Sequence, residues 1–78
     1  MYYINYNTGV GNETAETLKD AKRKADEGAA YTQCDIDIYD DNRNLITTRT
    51  WYGCMTDVET MNDPITFGDF GFYADWTD

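Results

Sequence analysis

Two stretches of this chain alternate residue by residue, and a turn-forming segment lies between them. In residues 31–39, Thr32, Cys34, Ile36 and Ile38 alternate with Gln33, Asp35, Asp37 and Tyr39. In residues 45–52, Ile46, Thr48, Thr50 and Tyr52 alternate with Leu45, Thr47, Arg49 and Trp51. A period of two sends successive side chains to opposite faces, so each stretch predicts a half-buried strand. Asp40-Asp41-Asn42-Arg43-Asn44 between them consists of turn formers. An antiparallel hairpin follows, with a loop of three or five residues and an Asn in the left-handed position. The loop Asp41-Asn42-Arg43 sets Ile38 opposite Ile46 and Ile36 opposite Thr48. It also sets Asp35 opposite Arg49 as a cross-strand ion pair. A two-residue loop would put Asp37 opposite Ile46, a costly slip.

The rest of the chain supplies partners for this hairpin. Residues 2–7 alternate too, with Tyr2, Ile4 and Tyr6 on one side and Tyr3, Asn5 and Asn7 on the other. Thr8-Gly9-Val10-Gly11-Asn12 reads as a loop. Residues 14–27 predict a helix with Ala15, Leu18, Ala21, Lys22 and Ala25 on or beside one face. Asn12 or Thr14 is the expected cap and Gly28 the expected stop. Residues 53–64 read as a loop with room for one helical turn. Ile65-Thr66-Phe67 begins a last strand, bent by Gly68 and Gly71, after which Phe70, Phe72, Ala74 and Trp76 alternate with Gly71, Tyr73 and Asp75. The expected architecture is a single α+β domain, residues 1–78, of order β-α-β-β-β. One helix packs on a mainly antiparallel sheet whose other face carries polar and aromatic residues.

With 78 residues, such a domain buries only about 60% of its unfolded surface. Its core must lean on large side chains, and seven Tyr, three Phe and two Trp are present. Cys34 is expected to be a buried, inert thiol. In the register above Cys34 faces Thr50, which leaves Cys54 beyond disulfide reach. No apolar run is long enough for a membrane span, and the N-terminus lacks the features of a signal peptide. A cytoplasmic protein is expected, and the start at Met1 suggests an intact short gene product.

Fifteen Asp and Glu against six Lys and Arg give a formal charge of −9, and His is absent. A histidine base and a histidine metal site are excluded. Direct nucleic-acid binding is disfavoured, because it calls for a basic surface. Asp35 and Asp37 lie about 7 Å apart on one strand face. Acid–base work by such a pair needs a cleft and a raised pKa, so a solvated face is the simpler reading. Asp40-x-Asn42-x-Asn44 starts like a calcium loop, but Leu45 and Trp51 stand where Gly and Glu are required. Gly68-Asp69-Phe70-Gly71 lacks the lysine of a phosphate loop. No catalytic residue, metal or cofactor is expected.

The charge is also unevenly placed. Lys19, Lys22, Arg23 and Lys24 cluster on the helix, where they suit its C-terminal half, and residues 50–78 hold no cation. Tyr3, Tyr39, Trp51 and Tyr73 fall on the uncovered side of their strands. Aromatic anchors among carboxylates suit a basic protein surface, the kind that holds nucleic acid. The expected partner-binding set is Asp35, Asp37, Asp57, Glu59, Asp69 and Asp75 for charge, with Trp51 and Tyr73 as anchors. The chain is expected to be a monomer or weak homodimer.

The strand Met1–Tyr6, the helix Thr17-Leu18-Lys19-Asp20-Ala21-Lys22-Arg23-Lys24-Ala25-Asp26 and the antiparallel sheet after it together resemble small phage and mobile-element proteins of the anti-CRISPR type. The resemblance covers roughly residues 1–55 and lies in pattern; Phe67–Trp76 falls outside it. It implies a non-catalytic inhibitor of a CRISPR effector. Such inhibitors share no site residues, so none is transferred. The alternative is a small regulatory or assembly module that dimerises through its sheet.

Overall fold

In the computed structural model, which describes residues 1–8, 12–29, 32–54 and 58–78, the N-terminal alternating stretch lies inside a sheet. β1 (Tyr2–Asn5) pairs with β2 (Glu13–Ala15) on one side and β3 (Ile36–Tyr39) on the other, and β4 (Leu45–Arg49) flanks β3. All three pairings are antiparallel. The helix α1 (Leu18–Gly28) packs on one face, against β1, β2 and β3. A second antiparallel sheet, of order β5-β7-β6, is built from β5 (Trp51–Tyr52), β6 (Ile65–Thr66) and β7 (Phe72–Tyr73). A 3-10 turn, Val58–Thr60, follows β5. The fold is α+β, one helix on a mainly antiparallel sheet. Among the described residues, no helix is long and apolar enough to cross a membrane.

The helix begins later than its apolar spacing predicts, because residues 13–15 pair with β1. Thr17 is the cap, in place of Asn12 or Thr14, and its hydroxyl accepts the Asp20 N–H at 3.1 Å. At the other end the helix runs through Gly28 and is capped at Ala29. Gly28 serves a close approach rather than a left-handed stop. A Cβ there would lie 2.7 Å from Tyr6 Oη and 2.9 Å from its ring. The Tyr6 hydroxyl meanwhile donates to the Lys24 carbonyl. Ala21, Ala25 and Ala29 face Ile4, Ile36 and Ile38 across a buried core that also holds Ala15 and Tyr6. Small helix side chains let the helix lie close to the sheet.

The hairpin follows its predicted register only next to the turn, where Tyr39 faces Leu45. The register then shifts between Ile38 and Tyr39, so that Ile38 faces Thr47 and Ile36 faces Arg49. Ile46 is the extra residue of a β-bulge. The expected pairs Ile38–Ile46, Ile36–Thr48 and Asp35–Arg49 do not form, and Thr47 and Arg49 turn inward instead. The left-handed turn position belongs to Arg43 (φ 65°), not to an Asn. Asp40 closes this turn by accepting the N–H groups of Asn42 and Asn44.

A fully buried arginine explains the shift. Arg49 Nε donates to Asp26 Oδ1 at 3.0 Å, and Nη1 donates to the carbonyls of Asp63 (2.8 Å) and Ala74 (3.0 Å). Nη2 reaches Asp63 Oδ2 at 3.4 Å, and the guanidinium carbon lies 5.1 Å from the Trp76 ring centroid. Burying a charge is tolerable only with such a set of acceptors, and those acceptors exist only on the helix side.

The stretch 45–52, expected as one strand, breaks at Thr50, where the chain passes from one sheet to the other. The Thr50 carbonyl accepts the Ala74 N–H. The C-terminal segment then follows β4: the Thr77 N–H donates to the Thr48 carbonyl and the Thr48 N–H to Thr77 Oγ1. The Thr47 hydroxyl donates to Asp78 Oδ1. This segment satisfies an edge that would otherwise be open. The expected bend at Gly68 and Gly71 is the turn of the β6–β7 hairpin, with the Phe67 N–H donating to the Gly71 carbonyl.

Two substitutions test this account by urea unfolding. Arg49→Ala is expected to cost about 3 kcal/mol, because it strands Asp26 and two carbonyls. Arg49→Lys should recover only part, since an ammonium lacks the planar fork that meets these acceptors together. Gly71 has φ +143°, and a Cβ there would lie 2.3 Å from the Tyr52 carbonyl oxygen. Gly71→Ala should therefore cost about 2 kcal/mol or more.

Candidate partner-binding surface

The helix covers one face of the four-stranded sheet, and the cross-strand register defines what the opposite face presents. Thr14, Tyr3, Tyr39 and Leu45 form one row across β2, β1, β3 and β4. Tyr3 is 44% exposed and Leu45 56% exposed. Asn5, Asp37 and Thr48 form the next row. Asp35 continues the same strand parity and is exposed. The outer face is therefore an apolar and aromatic row beside a polar, carboxylate-bearing row. At the hairpin end an open groove of about 570 Å³ is lined by Tyr3, Thr14, Tyr39, Asp40, Asp41 and Arg43, among others.

The predicted binding residues separate into distinct environments. Asp35 and Asp37 stand on this outer face, but both also hold structure. Asp35 Oδ1 accepts the Trp51 N–H at 2.8 Å. Asp37 accepts the Thr48 hydroxyl at 2.9 Å and Asn7 Nδ2 at 3.1 Å. Trp51 is half-buried, its ring centroid 4.9 Å from that of Tyr73 and 5.8 Å from that of Phe67. Tyr73 is not a surface anchor. It is completely buried, and its hydroxyl pairs with Thr32 Oγ1. Burial raises its phenol pKa. The reason is that β7 lies in the middle of the second sheet, between β5 and β6. Asp75 accepts the N–H groups of Asn62 and Asp63 at 2.7 and 2.6 Å, tying the loop before β6 to the C-terminal segment. Glu59 and Asp69 are exposed, and Asp57 lies outside the described residues.

Sequence periodicity missed two features. Phe70, expected to alternate into a strand, sits on the β6–β7 turn and is 78% exposed. Its flanking glycines were the available signal. Glu13 pairs with Ile4 and so lies on the helix side. There it helps to push the Tyr6 phenol up to about 12, after burial as the main cause. Cys34 is half-buried rather than buried, and neither Cys34 nor Cys54 is in a disulfide. Among the described residues, no group of three or more His, Cys, Asp or Glu is placed to hold a metal ion.

Folding also redistributes the cations. Besides Arg49, Lys22 pairs with Asp78 at 2.7 Å, and Arg23 pairs with Glu27 at 2.9 Å and with Asp20 at 3.9 Å. Lys24 Nζ donates to the Thr14 carbonyl. Three of the four cations of the helix, Lys22, Arg23 and Lys24, are thus tied to neighbouring acceptors. Among the described residues, the buried Trp76 Nε1–H makes no hydrogen bond of normal geometry. Its dipole still favours the Asp26 carboxylate, which burial otherwise raises against the opposing pull of Arg49.

Three carboxyls lie below their ordinary range. The Asn44 and Asn42 N–H groups lower Asp40, the Asn62 and Asp63 N–H groups lower Asp75, and Lys22 followed by Thr47 lowers Asp78. A depressed carboxyl contributes stability that is fully present above its unfolded-state pKa of about 3.9 and lost as pH falls through the folded value. Asp75→Asn should therefore be less stable than the native chain at pH 7, with the gap closing towards pH 3. Urea unfolding at pH 7, 5 and 3 measures this. A gap that stays constant with pH would rule out the ionised carboxylate as the cause.

No protein-family model, curated protein or solved structure matches the chain.

Proposed function

We propose that this chain is a non-catalytic, acidic binding protein that occupies a basic, nucleic-acid-holding surface of a partner, as an anti-CRISPR inhibitor does on a CRISPR effector. One observation carries the reading, the fate of the cations. Of six Lys and Arg residues, Arg49 is buried and Lys22, Arg23 and Lys24 are held by neighbouring acceptors. The net charge of −9 is thus left to be expressed by exposed carboxylates such as Glu16, Glu59 and Asp69. A surface of this kind imitates the charge of phosphates and steers fast association with a basic groove. The exposed Tyr3 and Phe70 and the half-buried Tyr39 supply aromatic contact area of the sort that anchors protein interfaces.

An edge-paired homodimer draws less support. In the four-stranded sheet the β4 edge is lined by the C-terminal segment, and β2 is three residues long. Its Thr14 carbonyl already accepts Lys24.

The test is inhibition of target-DNA binding by a purified CRISPR effector–guide complex at moderate salt. The native chain is expected to block binding. A chain carrying Glu16→Lys, Glu59→Lys and Asp69→Lys, which makes the net charge of −9 much less negative, should lose at least about tenfold in potency through weakened long-range attraction. Failure of the native chain to inhibit, or equal potency of the two, would overturn the proposal.

A further inference from the structure

We infer that the outer face of the four-stranded sheet, centred on Tyr3 and Tyr39, is the docking face, and that it receives an arginine-bearing segment of the partner. The inference deepens the function proposed above and rests on it for the basic character of the partner. The face is the side of the sheet that α1 leaves uncovered. Its strand residues carry no cation: Tyr3, Asn5, Thr14, Asp35, Asp37, Tyr39, Leu45 and Thr48 are tyrosyl, amide, hydroxyl, carboxylate and aliphatic groups. Arg43 and the terminal ammonium, which pairs with Asp41, sit at the hairpin end.

Charge complementarity selects a cation, and the neighbouring groups select its shape. Tyr3, which is exposed, and Tyr39, which is half-buried, are directly opposed in neighbouring strands, so both belong to this face of the sheet. A guanidinium is weakly hydrated, stacks on aromatic rings and presents a flat fork of donors. Asp35 and Asp37 each hold one or two fixed donors and retain further lone pairs. An ammonium would meet the same carboxylates but gains less from the tyrosine rings. Exposed Leu45, in the same row, extends the contact for the aliphatic stem of such a side chain.

The experiment is an amide NMR titration of the full chain with hexa-arginine and, separately, hexa-lysine peptide, at moderate salt. Saturable shifts are expected at Tyr3, Asp37 and Tyr39 with hexa-arginine, and several-fold weaker binding with hexa-lysine. Tyr3→Ala, at an exposed position, should weaken the hexa-arginine interaction by about two- to fivefold. Tyr3→Phe should retain it. Absent binding, shifts spread over acids off this face such as Glu59 and Asp69, or equal affinity for the two peptides would overturn the inference. An unchanged Tyr3→Ala variant would do so as well. Shifts of the same residues on concentrating the free chain would assign the face to a second copy and also overturn it. If effector inhibition succeeds while the peptide titration fails, only the docking face falls. If the titration succeeds while inhibition fails, the inhibitor reading falls and the face stands.

Discussion

Arg49 holds the parts of this small protein together. Its guanidinium is buried and meets the helix through Asp26, the loop before β6 through Asp63, and the C-terminal segment through the Ala74 carbonyl and the Trp76 ring. Three pieces of chain far apart in sequence thus converge on one side chain. A buried arginine is costly to desolvate and is retained only where several acceptors are fixed around it. The requirement runs both ways, since the acceptors are positioned by the segments that Arg49 joins. The β-bulge at Ile46 follows from it, because without the shift Arg49 would face solvent.

Around that centre the chain builds two unlike packing units. The larger sheet meets a helix whose buried side is alanine, so isoleucines and a tyrosine ring fill a thin, close interface. Two strands of the smaller sheet, β5 and β7, are largely aromatic: Trp51 and Tyr73 pack with Phe67, next to β6, at tilted and edge-on angles, and Tyr52 stacks on Phe72. Aromatic pairs of this geometry contribute beyond the area they bury. That suits strands of two residues, which have few ladder hydrogen bonds of their own.

Acidity has two roles here. Part of it is architectural: Asp26, Asp40, Asp63, Asp75 and Asp78 neutralise Arg49 or Lys22, close turns, or join loops to the C-terminal segment. The remainder faces solvent with few competing cations. The proposed partner contact combines that remainder with an uncovered sheet face carrying tyrosines. Charge would then govern encounter and the aromatic row would govern fit.

The alternation of residues 2–7, the hairpin, the alanine-faced helix and the α+β class were legible in the sequence, because side-chain period follows directly from backbone geometry. So was the outer placement of Tyr3, Tyr39 and Asp37. The inward turn of Arg49, the burial of Tyr73 and the structural use of Asp35 and Asp75 were not. Polarity alone places an arginine or a carboxylate outside. Only the tertiary structure supplies Asp26, Asp63 and the Ala74 carbonyl at one point, and only the second sheet places β7 between two neighbours. Through local periodicity the sequence determined β1, the hairpin strands and the body of the helix, while β2 and the second sheet depend on tertiary pairing. The fold decided which charged groups face inward, because the free energy of burying a charge depends on partners that local sequence does not contain.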